Sequence, residues 1–169
     1  MHNLLVTLGA ALVPMVMGFL YYNPKLLGDA WSREAGMTEE KMKGGNMALI
    51  YGVSYVLSCL LAFSMAPMTI HQFGVMGMLE SSMRPDSPTA TEATEMFKSL
   101  MATYGTMHRH FGHGALHGAI AGIFFALPIM GTNALFERKS FKYIAINAGY
   151  WTLTLALMGG IVCQFYQFP

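Results

Sequence analysis

The segment HRHFGHGALHG, His108 to Gly118, places four histidines and three glycines in eleven residues. Imidazole nitrogens ligate zinc, copper and haem iron, and thioethers select Cu(I). On a helix starting near His108, residues His110, His113 and His117 fall at i, i+3 and i+7 and share one edge. His113 and His117 stand one turn apart, a spacing that can chelate one ion. A third ligand is available from His110, His71 or His2, and Met96, Met101 and Met107 add soft donors. The cofactor this pattern suits is a metal or haem at His110, His113 and His117. No Cys pair, His-Glu-x-x-His motif or acidic partner at fixed spacing accompanies the histidines. The competing reading is a polar helix edge at a membrane boundary, where an amphipathic imidazole needs no metal.

The glycines of the same stretch do something else. Gly114, Gly118 and Gly122 recur every four residues, and Ala115, Ala119 and Ala126 widen the strip. Such a small-xxx-small surface lets another backbone come close. It lies about 100° around the helix from the histidine edge. Its partner is either the last apolar helix, which carries Gly149, Gly159 and Gly160, or a second copy of the chain.

Composition shows what must hold these residues. The 169-residue chain is 54% hydrophobic and 11% charged, against about 25% charged in soluble domains. No Asp, Glu, Lys or Arg occurs before Lys25, between Lys43 and Glu80, between Arg109 and Glu137, or after Lys142. Each gap exceeds the roughly 20 residues that cross a bilayer. The expected fold is therefore all-α: a single integral membrane domain over 1–169, a four-helix bundle made of two helical hairpins. Its spans are expected near 4–22, 46–66, 112–136 and 143–166, with a partly helical external loop over 67–111. Met1-His2-Asn3 has no basic n-region, so the first span is expected to be a retained helix rather than a cleaved signal. A net charge of +1 without a basic stripe excludes nucleic acid as a partner. Cys59 and Cys163 are expected at different depths, as small packing residues rather than a disulfide.

Seven of the ten basic residues lie in 23–45 and 137–142, and three in 67–111. The basic side faces the cytoplasm, so both termini and the 67–111 loop are expected to be periplasmic. Tyr21, Tyr22 and Trp31 suit an interfacial belt. Thr38 is expected to cap the helix leading into the second span. Thr89 and Glu92 have the spacing of a capping box, starting a helix to about Tyr104 with an apolar stripe of Phe97, Leu100, Met101 and Tyr104. Asn133, Asn147 and Tyr150 are expected to form a polar intramembrane cluster near the cytoplasmic side.

Three stretches, GFLYYNPKLLGDAW (18–31), HGAIAGIFFALPIMGTNALFERKSFKYIAINAGYW (117–151) and LALMGG, resemble a family of small four-span bacterial membrane proteins classified as a domain of unknown function. The matching positions are Gly18, Tyr22, Pro24, Gly28, Trp31, His117, Gly118, Asn133, Phe136, Glu137, Tyr150 and Trp151. Tyr21 stands where the family usually has Trp, and His108, His110 and His113 are not part of the shared pattern. The resemblance implies a four-helix fold in the bacterial inner membrane and supplies no activity. No nucleophile–base motif points to an enzyme. The leading expectation is a non-enzymatic, oligomeric or accessory component of an inner-membrane assembly, with lipid, further copies or other membrane proteins as partners. The alternatives are a metal- or haem-binding membrane protein using the His108–His117 cluster, and a small dimeric transporter or channel with a pathway through Asn133, Asn147 and His117.

Overall fold

The computed structural model of the chain describes residues 1–168. Every regular element among them is helical. Four helices are long and apolar enough to cross a membrane: α1 (His2–Tyr21), α4 (Met47–Thr69), α7 (Phe111–Phe136) and α8 (Phe141–Phe165). Between α1 and α4 lie two short helices, α2 (Asp29–Ala35) and α3 (Glu39–Lys43). Between α4 and α7 lie α5 (Gln72–Leu79) and α6 (Ala90–Tyr104).

Local chemistry sets the boundaries. α1 loosens around Ala11–Leu12 because Pro14 has no N–H to return to the carbonyl of Ala10. A π-helical turn over Pro24–Gly28 follows, with Asn23 Oδ1 accepting from the Lys25 N–H at 3.0 Å. Thr38 caps α3, accepting from the Lys41 N–H at 3.3 Å, whereas α4 has its own cap in Asn46. The Thr38 cap thus serves a separate short helix. Within α7 the ladder widens to a π turn over Gly122–Ala126, just ahead of Pro128, whose ring nitrogen cannot donate. The Thr89–Glu92 capping box does not form. Thr89 sits at φ −104°, ψ 10°, away from the extended geometry a cap needs, and its N–H donates to Ser87 Oγ. The α6 stripe finds its partner in α5, against which Phe97, Leu100 and Met101 are half-buried.

α8 is the axis of the bundle. In its most apolar stretch 56% of the residues are buried, against 11–22% in the other three spanning helices. α1, α4 and α7 each pack on it, and Met158, Val162 and Cys163 have no exposed surface. The outer helices turn Leu60, Phe63, Phe124 and Ile129 outward, as a lipid-facing surface requires.

The tightest contact is between α7 and α8. A Cβ on Gly118 would overlap the Leu155 carbonyl and lie 2.9 Å from Ala156 Cα; one on Gly122 would lie 2.5 Å from Thr152 Cα. From the other side, a Cβ on Gly159 would lie 2.5 Å from the Gly114 carbonyl oxygen. The glycine strip of α7 therefore meets α8 of the same chain, and both helices contribute glycine where the backbones cross.

The two ends of the bundle are closed differently. At one end the termini meet: the Asn3 side chain donates to the Gln167 carbonyl and accepts from its N–H, both at 2.8 Å. The 67–111 segment lies at this same end, because Arg109 donates to the carbonyls of Cys163 and Tyr166. At the other end Lys139 Nζ donates to the Ala35 carbonyl at 2.8 Å, and Glu34 accepts from Ser140 Oγ and pairs with Lys142. The Ser140 hydroxyl, helped by Lys142, holds the Glu34 carboxyl below its ordinary value.

The glycine contact gives a direct test. Gly118→Ala forces backbone against backbone and is expected to destabilise the protein by about 1–3 kcal/mol. Gly74→Ala, where a Cβ would meet nothing within 4 Å, is expected not to destabilise the protein in mixed micelles, since Ala is the better helix former. Equal effects would contradict the packing.

Candidate functional site

The histidines are gathered by two chain segments. α4 ends at Thr69, and Ile70 (φ −112°, ψ 100°) leaves the helix with its side chain buried in the core. That buried anchor fixes where the next residue, His71, emerges. On the other segment, α7 begins at Phe111, so the helix start near His108 on which the i, i+3, i+7 edge depends is not formed. His108 is left-handed (φ 61°), a costly region for a residue with a Cβ. His110 is extended and caps the helix, its Nδ1 accepting from the His113 N–H at 3.2 Å.

This local competition decides which imidazoles come together. His110 does not join the edge of His113 and His117: one of its nitrogens is taken by the cap, and its ring centroid stands 5.9 Å from that of His113. His71 takes the third place. Ligand nitrogens of His71, His113 and His117 lie within 4.8 Å of one another. The Nε2 atoms of His71 and His113 are 2.9 Å apart, and the ring centroids of His113 and His117 are 4.6 Å apart. His108 completes the group by stacking on His113, centroids 4.8 Å apart and planes 24° from parallel. His71 is exposed and the other two of the trio are half-buried, so the site opens at the end of the bundle.

Two residues that the sequence did not single out for this role hold the segments together. Cys163, fully buried on α8, shares its thiol between the carbonyls of Thr69 and His108, each at 3.4 Å. It thus touches the residue two before His71 and the backbone of His108. Arg109 reaches across to the last carbonyls of α8, where a cation also answers the negative end of the helix dipole. A lone Cys in an apolar helix carries no sequence signal for such a role. Arg109 does: it is the one charge beside the histidines, and a charge at a helix boundary needs partners.

Geometrically, two nitrogens bound to one tetrahedral zinc at 2.0–2.1 Å stand about 3.3 Å apart. The trio's separations, from 2.9 Å up to at most 4.8 Å, bracket that value. The fourth position is then free for water or another donor. Without an ion, the His71–His113 contact is a hydrogen bond in which one nitrogen carries the proton and the other accepts it.

The second polar group lies at the opposite end and is not the predicted set. Tyr22 donates to Asn147 Oδ1 at 2.9 Å, Asn147 Nδ2 donates to the Tyr143 carbonyl at 2.8 Å, and Tyr150 donates to the Pro14 carbonyl at 2.8 Å. Asn133 is exposed and apart from them. Tyr21, Tyr22 and Trp31 are half-buried: Tyr22 has its ring centroid 5.3 Å from Trp31 and 5.0 Å from Tyr150. This end is an aromatic and amide cluster that joins α1 and α2 to α8, and within it the Trp31 Nε1 is buried without a hydrogen-bond partner among the described residues.

No curated protein and no solved structure matches the chain. The family model described as Protein of unknown function (DUF1761) matches residues 5–163, a stretch that includes both histidine-bearing segments. The chain therefore belongs to that family.

Proposed function

We propose that this chain is a non-enzymatic, multi-pass protein of the bacterial inner membrane that binds a late transition-metal ion on its periplasmic side. One observation carries the reading: the nitrogens of His71, His113 and His117 converge to within 4.8 Å from two segments more than forty residues apart in sequence. Local helix spacing alone accounts for His113 and His117 being neighbours; it does not account for His71. The sidedness rests on the charge bias, because seven of the ten Lys and Arg residues belong to the opposite end. Three imidazoles meeting at one point suit a four-coordinate ion. Haem iron, already ringed by four porphyrin nitrogens, takes at most two axial ligands, so the trio favours a bare ion over haem. The ligand set is neutral and nitrogen-only, the chemistry of zinc and copper rather than of magnesium or calcium.

The test is metal content. Protein purified in mild detergent and equilibrated with zinc is expected to hold one ion per chain after desalting. In His113→Ala/His117→Ala that retention should fall at least tenfold, and in His110→Ala it should be preserved. Retention equal in the wild type and the double variant would overturn the reading.

A second reading, an oligomeric component of a membrane assembly, is favoured by α4. Only 11% of its apolar stretch is buried within the chain, and Ala48, Gly52, Val53 and Val56 line a shallow groove on it. The α7 glycines are occupied by α8, so self-association would use this α4 face. Gly52→Cys is expected to give disulfide-linked dimers on mild oxidation in native membranes. A uniformly monomeric product would contradict dimerisation through that groove.

A further inference from the structure

The turn between α7 and α8, at the end away from the histidines, carries positive charge that the fold does not use up. Segment 137–142 has one acid, Glu137, against Arg138, Lys139 and Lys142, whereas segment 23–45 has four acids and four bases. The excess cation charge of this end therefore sits in one tight turn. Two of its three cations are engaged within the chain. Lys139 Nζ donates to the Ala35 carbonyl and lies 5.6 Å from the centre of the Tyr143 ring. Lys142 pairs with Glu34 at 3.5 Å. Arg138 is exposed, and its guanidinium has no ion-pair partner among the described residues. Its left-handed backbone, φ 58°, reverses the chain between the two helices.

The surface on both sides of the turn is apolar. Phe136 ends α7 and is 85% exposed, and Phe141 begins α8 and is 79% exposed. Phe136 is not an isolated ring. Ile129, Asn133 and Phe136 stand at i, i+4 and i+7 and are all exposed, so Phe136 continues the outward, lipid-facing side of α7. Asn133, an amide on that side one turn short of the helix end, marks where the surface reaches polar headgroup depth. A ring at each helix end with a free cation in the turn between them matches the layout of a phospholipid. Glycerol and upper acyl chains meet the rings, and the phosphate meets the guanidinium, which can bind it through two parallel N–H···O bonds. A soluble anion would use the guanidinium and leave both rings without a partner.

We infer that the α7–α8 turn is a docking site for an anionic phospholipid of the cytoplasmic leaflet, with Arg138 on the phosphate and Phe136 and Phe141 against the glycerol and upper acyl chains. The inference rests on the multi-pass reading with its basic side cytoplasmic, and it is independent of the histidine group.

The chain's two tryptophans serve as reporters. Trp31 and Trp151 lie at this end, beside Tyr22 and Tyr150 respectively. Full-length protein in vesicles of phosphatidylcholine and phosphatidylglycerol is titrated with the brominated form of either lipid, whose bromines quench indole at close range. Brominated phosphatidylglycerol is expected to quench the wild type more strongly than brominated phosphatidylcholine at equal mole fraction. That preference should weaken in about 1 M salt, where the screening length is about 3 Å. Arg138→Asn, whose side chain tolerates a left-handed backbone, should lower the preference about fivefold, the effect of one basic residue at an anionic surface. Arg138→Lys should keep most of it, and Arg84→Asn, at the opposite end, should leave it intact. Equal quenching by the two lipids in the wild type, a preference indifferent to salt, or one that survives Arg138→Asn would overturn the lipid site. If Arg138→Asn does not fold, the salt titration of the wild type decides. No quenching by either lipid would instead overturn the multi-pass reading beneath it.

Discussion

The close approach of α7 to α8 is the contact on which the rest of the structure depends. Gly114, Gly118 and Gly159 leave no space for a Cβ between the two backbones. Helices in a bilayer gain little from burying apolar side chains against each other, since lipid is equally apolar, and rely instead on close van der Waals contact. That contact locks the rotation of α7 about its own axis. His113 and His117 each precede a locked glycine by one residue, so the lock on the glycines is also a lock on the histidine edge. The same contact sets α7 at a fixed height beside Cys163, whose thiol meets both Thr69 and His108. The end of α4 and the start of α7 are thus registered against one atom of α8.

The bundle is chemically asymmetric from end to end. At one end polar side chains pair across elements: Tyr22, Asn147 and Tyr150 hydrogen-bond to one another's elements, and Glu34, Lys139 and Ser140 tie the two loops together. At the other end the backbone is well paired, through Asn3, Arg109 and Gln72, while imidazole nitrogens of several histidines remain open. Ionisable side chains are costly at membrane depth and gather where they face water or one another. Here five of the six histidines belong to the single end that also carries both termini, and the sixth, His2, bonds to the carbonyl of Phe165 there.

The spans were legible because charge-free runs of bilayer length have few alternatives, and the structure places helices over all four of them. The glycine strip was legible as a close-packing surface, though its partner was not: choosing between α8 and a second copy needs the tertiary arrangement. The site was legible in residue type and only partly in membership. His113 and His117 follow from helical spacing. His110 was lost to a local effect, because a side chain at a helix start can satisfy a backbone N–H and give up its edge position. His71 joins His113 and His117, some forty residues further along the chain, through the buried anchor of its neighbour Ile70, which no local spacing encodes. Asn133 and the Thr89 capping box went the same way. Each had a fitting residue type, and a neighbour or an outward-facing helix surface decided its surroundings.

The most direct measurement of the central claim is the zinc K-edge absorption spectrum of the detergent-purified, zinc-loaded protein. A shared site at His71, His113 and His117 predicts three imidazole nitrogens at about 2.0–2.1 Å with the multiple scattering of their rings, and a fourth light ligand. That imidazole signal should shrink in His71→Ala as it does in His113→Ala. A shell of oxygen ligands alone, or a spectrum indifferent to His71, would contradict the account, because His71 is the imidazole that only the fold brings to the group.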